Sequence, residues 1–270
     1  MYMKKSMIIG FISIIFASVL LSSCDLLDLT PKAAVTVKTY FKNESELELY
    51  ANRFYSDILP GGSGIYKEIG DNMIWIPLAS EVSLTRTVPE KGGGWSFEAL
   101  RHINFLLENI SNCPDAAAVR KYTGVAKFFR AHYYFNMVKR FGDVPWLDHV
   151  PGTDDPALYK ARDSRDFVME KVIEDLDEAI RLFKKENSTK DLYHVTWWTA
   201  MALKSRICLF EGTFRKYHGL ADSEKWLRLC VESSDALMNA TRGYSLYTSG
   251  TQPYRDLFTL SLIHISEPTR

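Results

Sequence analysis

The side chains of this chain that could do chemistry are its carboxylates, histidines and serines, and their spacing does not predict an active site. Asp175 and Asp177 stand two residues apart in a helical pattern, so their carboxylates point to different faces. We expect them to be solvated or paired with Arg181 and Lys171. The segment GGSGI lacks the spacing of the GxSxG nucleophile motif. The sequence therefore predicts a protein that is not an enzyme.

Neither the histidines nor the cysteines predict a metal centre. The six histidines include no HExxH motif and no closely spaced pair. Arg130 and His132, in FFRAHYYF, lie on an otherwise apolar helix, where hydrogen bonding within the core is expected of them. Cys113, Cys208 and Cys230 form an odd set without CxxC spacing, although a single bridge among them stays open. No cofactor is predicted.

The N-terminus has the pattern of a secretion signal. Two lysines precede the apolar run 7–21, which is shorter than the roughly 20 residues that span a bilayer but suits the core of a signal peptide. The run ends in LSSC, which resembles the lipobox of bacterial lipoproteins, in which the cysteine is diacylated. We therefore predict a signal peptide at 1–23, a lipid anchor on Cys24 and an extended tether at 24–42. A plain signal peptide with an incidental cysteine is the alternative.

Composition excludes one class of partner. The chain has 33 basic and 33 acidic residues, whereas nucleic-acid-binding domains are usually basic. Aromatic residues make up 13% of the chain, a surplus that core packing or a surface binding platform would explain.

Helical periodicity dominates the rest of the chain. Apolar side chains recur at helical spacing in six segments, and no alternating strand pattern of comparable length is present. The predicted fold class is therefore all-α. The segment 60–94, rich in glycine, is predicted to be a long irregular loop, and such loops are often functional. The predicted helices are 43–59, 96–111, 122–141, 163–185, 196–211 and 223–239.

Small residues predict how the helices pack. Glycine and alanine recur where helix pairs must approach, at Gly124, Ala126, Ala200 and Ala202, and Gly212 is predicted to end its helix. The unit of helix, short turn and helix resembles tetratricopeptide packing, in which neighbouring units stack because none can bury its apolar face alone. Most of the circumference of 122–141 is apolar, so burial on two sides is expected.

The last eleven residues do not follow these patterns. LSLIHISEPTR, at 260–270, resembles the in-frame translation of a sequencing adapter. We expect this tail to be non-native and the helical domain to comprise 43–259.

Several strings together resemble the SusD/RagB family of nutrient-binding outer-membrane lipoproteins. They are CDLLDLTP after the lipobox, FGDVP after the aromatic helix, RDSRDFVMEKVIEDLDEAI, and ALKSRICLFEGTFRKYH. The resemblance runs from Cys24 to about Thr259. It implies a tetratricopeptide-like scaffold with long irregular loops, a TonB-dependent transporter of the SusC type as partner, and an oligosaccharide or, in some members, a peptide as ligand.

The resemblance also indicates where a ligand would bind. In the family, loops between the first and second helices supply part of an aromatic platform, and here that region contains Trp75 and Trp95, with Asp71, Asn72 and Arg86 as polar candidates. Flat aromatic faces suit the apolar side of a pyranose. A core or helix-staple role is the competing interpretation of Trp95, and a core role that of Trp75.

The function expected from these observations is capture of oligosaccharides at the cell surface and delivery to a SusC-like transporter. The alternative is a periplasm-facing helical scaffold lipoprotein that binds no nutrient. An enzyme of carbohydrate breakdown would need paired catalytic carboxylates about 5 to 10 Å apart, and the helical patterns predict none.

Overall fold

The computed structural model describes residues 40–61, 76–78, 80, 82–90, 92–183, 193–240 and 246–259. The described part is all-α and contains no β-strand, only one isolated bridge between Val144 and Asp163. Seven α-helices are present in it. They are α1 Glu44–Ile58, α2 Glu98–Asn109, α3 Ala116–Phe141, α4 Arg165–Leu182, α5 Trp197–Tyr217, α6 Ser223–Met238 and α7 Pro253–Thr259, with 3-10 turns at Ile110–Asn112 and Pro156–Tyr159.

All six predicted helices are confirmed, and side-chain caps explain where several of them begin. Asn43 accepts a hydrogen bond from the backbone N–H of Glu46 at 3.0 Å, and Ser164 and Thr196 cap α4 and α5 in the same way. The helix α3 begins six residues earlier than periodicity predicts. Its cap is Asp115, whose carboxylate accepts from two successive N–H groups of the first turn.

The long helix α3 is the centre of the array. It packs against α1 and α2 on one side and along α4 on the other. Fourteen of its 26 residues are buried, which confirms burial on two sides. The large buried side chains of α3 are Tyr122, Phe128, Phe129, Tyr133, Tyr134, Phe135 and Met137.

The helices α5 and α6 form the next tightly packed hairpin, and α4 links it to α3. Gly212 does not end α5, as the sequence predicted, because the helix continues to Tyr217. A Cβ at Gly212 would lie 2.8 Å from the Leu227 side chain, so this glycine allows α6 to approach closely. Gly124, Ala126 and Ala200 are buried as predicted, whereas Ala202 is exposed.

One buried ion pair corrects a second prediction. Asp175 is 3% exposed and pairs with Arg130 at 2.6 and 2.8 Å and with Lys127 at 3.0 Å, not with solvent or Lys171. Arg130 also donates to Asn104, which confirms its structural role. The Asn104 amide in turn donates to two backbone carbonyls of the segment after FGDVP, at 2.9 and 3.0 Å. This network ties α2, α3 and α4 to that segment.

A second buried network lies between α4 and α5. Glu211 is fully buried and accepts hydrogen bonds from Arg165 at 2.6 Å and from Arg215 at 2.9 Å. Arg215 also donates to Asp166. The Arg165 guanidinium lies 3.6 Å from the ring centre of Phe214. Each cation here has both a carboxylate and an aromatic neighbour.

Several predicted features lie outside the described residues. The predicted signal peptide 1–23, Cys24, most of the tether 24–42 and the tail 260–270 are not described. Cys113, Cys208 and Cys230 are free thiols, of which the first two are buried.

None of the described helices has the length and apolar composition needed to cross a membrane. Within the same described ranges, no three His, Cys, Asp or Glu side chains are grouped in a way that would bind a metal ion.

Candidate ligand-binding site

A glycine-rich turn positions Trp95 in front of α2. Gly92, Gly93 and Gly94 all have positive φ, at 78°, 62° and 87°. The turn closes with a hydrogen bond from the N–H of Trp95 to the carbonyl of Gly92 at 3.1 Å. A Cβ at Gly94 would lie 3.3 Å from the Arg140 guanidinium, so glycine is required both by the backbone angle and by the close approach to α3.

The Trp95 ring is half-buried and already makes three packing contacts. It meets Phe141 edge-to-face at 4.9 Å and Phe97 at 5.4 Å. The Arg162 guanidinium lies 4.7 Å from the ring centre, within the range of a cation–π interaction. The environment therefore combines a packing role with a partly accessible edge. A ligand contact by Trp95 stays a prediction.

The other candidates are only partly described. Trp75, Asp71 and Asn72 lie outside the described residues, and Arg86 is exposed in the segment 82–90. The contacts described for the Trp95 ring are with Phe97, Phe141 and Arg162, and Arg86 is not among them. The platform expected from the family resemblance therefore stays a prediction as a whole.

A surface cleft of about 600 Å³ lies beside this turn. Its walls are the last turn of α1, the segment from Gly94 to the start of α2, and the last three turns of α3. We call it the α1–α3 cleft. Its polar lining consists of Asp57, Ser96, Tyr133, Asn136, Lys139 and Arg140.

Part of this polar lining is engaged within the protein. The Tyr133 hydroxyl donates to the carbonyl of Ser96 at 2.7 Å, and burial raises the pKa of this phenol, which keeps it protonated. Asp57 pairs with Arg53 at 3.0 Å and lies 3.4 Å from the Nδ1 of His102. The engaged groups fix the shape of the cleft.

The two cations at the end of α3 have no such partner. No carboxylate of the described residues lies within 4.0 Å of Lys139 or Arg140, and neither makes a hydrogen bond there. Burial lowers the pKa of the Lys139 ammonium, and the nearby Arg206 lowers it further. Burial, together with Lys139 and Arg206, also lowers the pKa of His132 to about 4. Lys139 and Arg140 therefore outnumber the one carboxylate of the cleft lining, Asp57.

Sequence reasoning did not find these two residues. Adjacent basic residues in the last turn of a helix are common because they complement the helix dipole, so Lys139 and Arg140 gave no separate signal. Only the approach of α1 and the glycine-rich turn makes them part of a cleft.

Comparison with known proteins finds a similar family over part of the chain. Residues 95–209 match the family model SusD-like_3, described as "Starch-binding associating with outer membrane". This region contains Trp95 and the α3 wall of the cleft. None of the curated proteins matches the chain.

Solved structures with the same fold have low sequence identity to this chain. A SusD-like protein from Bacteroides fragilis aligns with a TM-score of 0.58 at 20% identity, covering 81% of this chain and 42% of its own. The NanU protein of B. fragilis aligns with a TM-score of 0.57 at 18% identity, covering 80% and 46%. A SusD-like carbohydrate-binding protein of B. fragilis gives 0.55 at 16% identity, with 78% and 43%.

The chain thus spans less than half the length of these structures. The family model matches residues 95–209, and the solved SusD-like structures share the helical fold of this chain.

Proposed function

We propose that this protein binds oligosaccharides at the outer membrane and delivers them to a SusC-like TonB-dependent transporter, without catalysing a reaction. The observation that carries the proposal is the match of residues 95–209 to a family described as starch-binding and associated with the outer membrane. A relative with the same fold is titled a carbohydrate-binding protein. The fold alone would not indicate a ligand.

The site near α3 offers the groups that saccharide binding needs. Carbohydrate recognition combines an aromatic surface with fixed polar groups around it. The accessible part of Trp95 supplies the first, and the α1–α3 cleft supplies the second through Asn136, Lys139 and Arg140. Trp75, Asp71, Asn72 and Arg86 extend this proposed platform.

Calorimetric titration of the detergent-solubilised full chain with a panel of neutral and acidic oligosaccharides, and with a panel of peptides, tests the proposal. We expect binding to at least one oligosaccharide and a loss of at least tenfold in affinity in Trp95→Leu. Trp197→Leu is the matched control, because Trp197 is also half-buried and its ring contacts Trp198 on α5. Absence of heat with every saccharide would refute saccharide binding.

The location is tested separately. We propose that Cys24 carries the lipid that holds the protein at the cell surface, since stable anchoring takes more than one acyl chain and the lipobox cysteine is diacylated. Mass spectrometry of the mature protein should find these acyl chains, and Cys24→Ala should remove them. Protease treatment of intact cells should cleave the protein, whereas an uncut protein would favour a periplasm-facing scaffold. Co-purification of a TonB-dependent barrel would support the transporter partner.

A further inference from the structure

The two cations of the α1–α3 cleft differ from the paired cations around α3. Arg130 and Lys127 share the carboxylate of Asp175, and Arg53 pairs with Asp57 at the edge of the cleft. Lys139 and Arg140 line the same cleft and have no carboxylate within 4.0 Å among the described residues. Asp57 pairs with Arg53, which also lies 3.9 Å from Glu98, and neither carboxylate lies within 4.0 Å of the two cleft cations.

Their surroundings increase the advantage of an added anion. The ammonium of Lys139 lies 4.5 Å from the ring centre of Phe135, and the guanidinium of Arg140 lies against Gly94. Partial burial lowers the pKa of the Lys139 ammonium, and Arg206 adds a third positive charge near it. A carboxylate in the cleft would relieve this repulsion.

The neutral groups of the cleft indicate what else the ligand carries. The Asn136 amide nitrogen is engaged with the Nδ1 of His132 at 3.3 Å, which directs the recognition role to its carbonyl oxygen. An amide carbonyl accepts hydrogen bonds from hydroxyl groups. Cations beside a hydroxyl acceptor, in about 600 Å³, suit a molecule that combines a carboxylate with several hydroxyls.

We propose that the α1–α3 cleft binds the carboxylate of an acidic saccharide, a uronic acid residue, through Arg140 and Lys139. The planar guanidinium of Arg140 can hold both carboxylate oxygens, Lys139 adds a point charge, and the Asn136 carbonyl accepts a sugar hydroxyl. This inference rests on the proposed saccharide-binding function and names the class of saccharide.

Oligogalacturonides and their methyl esters provide matched probes. The two have the same sugar and linkage, but esterification removes the charge. Calorimetric titration of the detergent-solubilised full chain should give at least tenfold tighter binding of the acid at 50 mM salt. The difference in affinity between acid and ester should be smaller at 200 mM salt, because screening weakens exposed charge pairs.

Charge-matched variants locate the site. The double variant Lys139→Gln with Arg140→Gln should lose the preference for the acid over the ester. The control, Arg120→Gln with Arg228→Gln, removes the same net charge from two exposed positions outside the cleft. It should retain the preference for the acid. Thermal melting of each variant verifies that it is folded.

The outcomes separate this inference from the proposed function. Equal binding of acid and ester overturns the inference and leaves saccharide binding intact. The same holds if the cleft variant keeps the preference for the acid, or if the control variant loses it. Failure of both probes while a neutral oligosaccharide binds also overturns the inference alone. Silence with every saccharide refutes the proposed function and the inference with it.

Discussion

Arg130 and Arg140 lie ten residues apart on α3, but their charged surroundings differ. Arg130 is buried and bound to Asp175 through two hydrogen bonds, with Asn104 as a third partner. Arg140 lines an open cleft and has no carboxylate of the described residues within reach. Folding has satisfied the first charge completely, and its partners connect three helices. The second charge contributes nothing comparable to the fold.

The comparison extends to the hairpin of α5 and α6. Glu211, which is fully buried, binds Arg165 and Arg215, so that each of these buried charges has its counterpart. Where the protein buries charge, it pairs it, because an unpaired buried charge is very unfavourable. Lys139 and Arg140 have no carboxylate within 4.0 Å among the described residues, so ion pairing in this part of the fold does not explain their place in the α1–α3 cleft.

The largest effect is expected from breaking the buried pair. Asp175→Asn removes the negative charge that Arg130 and Lys127 share and should lower the free energy of unfolding by about 3–5 kcal/mol. Urea denaturation followed by circular dichroism measures this change.

Asp177→Asn is the control for that experiment. Asp177 is half-exposed and pairs with Lys204 on the surface of α5, so its loss should cost about 1 kcal/mol or less. Equal effects of the two substitutions would show that burial of Asp175 does not set its contribution, and the comparison between core and cleft would lose its basis.

The next largest effect is a dependence of the free energy of unfolding on pH, which arises from His132 near Lys139 of the cleft. His132 stacks on Phe128, and burial, then Lys139 and Arg206, hold its pKa at about 4 in the folded state. The unfolded state binds a proton near pH 6.5, so between these values it holds more protons than the folded state. His132 should therefore reduce stability by about 3 kcal/mol as the pH falls from 7 to 4.

The difference between the wild-type protein and His132→Gln, measured by denaturation at each pH, isolates this contribution. His149 gives the opposite sign and serves as a comparison. Hydrogen bonds to Asp148 and then Asp155, at 3.1 and 2.8 Å, raise the pKa of His149. Its contribution is present below about pH 6.5 and is lost as the pH rises through the higher folded pKa. A His132→Gln variant with an unchanged pH profile would contradict the assigned pKa.

The sequence was sufficient for the helices but not for their charged neighbours. Apolar periodicity and capping residues are local signals, and they identified all six long helices and the burial of α3 on two sides. Spacing of two residues correctly separated Asp175 from Asp177. It could not show which of them faces Arg130, because that depends on how α4 packs against α3.

The same limit applies to the candidate site. The local sequence around Gly212 predicts a helix end, but in the structure this glycine allows Leu227 of α6 to approach α5 closely. Trp95 was predicted because it lies in the region that supplies the aromatic platform of the family that the sequence resembles, whereas Lys139 and Arg140 follow the ordinary pattern of a helix C-terminus. That no carboxylate of the described residues reaches them is visible only in the folded chain.

The smallest effect is expected in the cleft, and it is the one that distinguishes binding residues from structural ones. Lys139→Gln with Arg140→Gln removes no ion pair among the described residues and should change the free energy of unfolding by about 0.5 kcal/mol or less. A slight gain is consistent with relief of the repulsion by Arg206, and the pKa of His132 should rise in the same variant because Lys139 lowers it. Urea denaturation at pH 7 and histidine titration by NMR measure both effects. A loss of several kcal/mol would mean that these cations have an unrecognised partner in the fold, and the difference between Arg130 and Arg140 would then disappear.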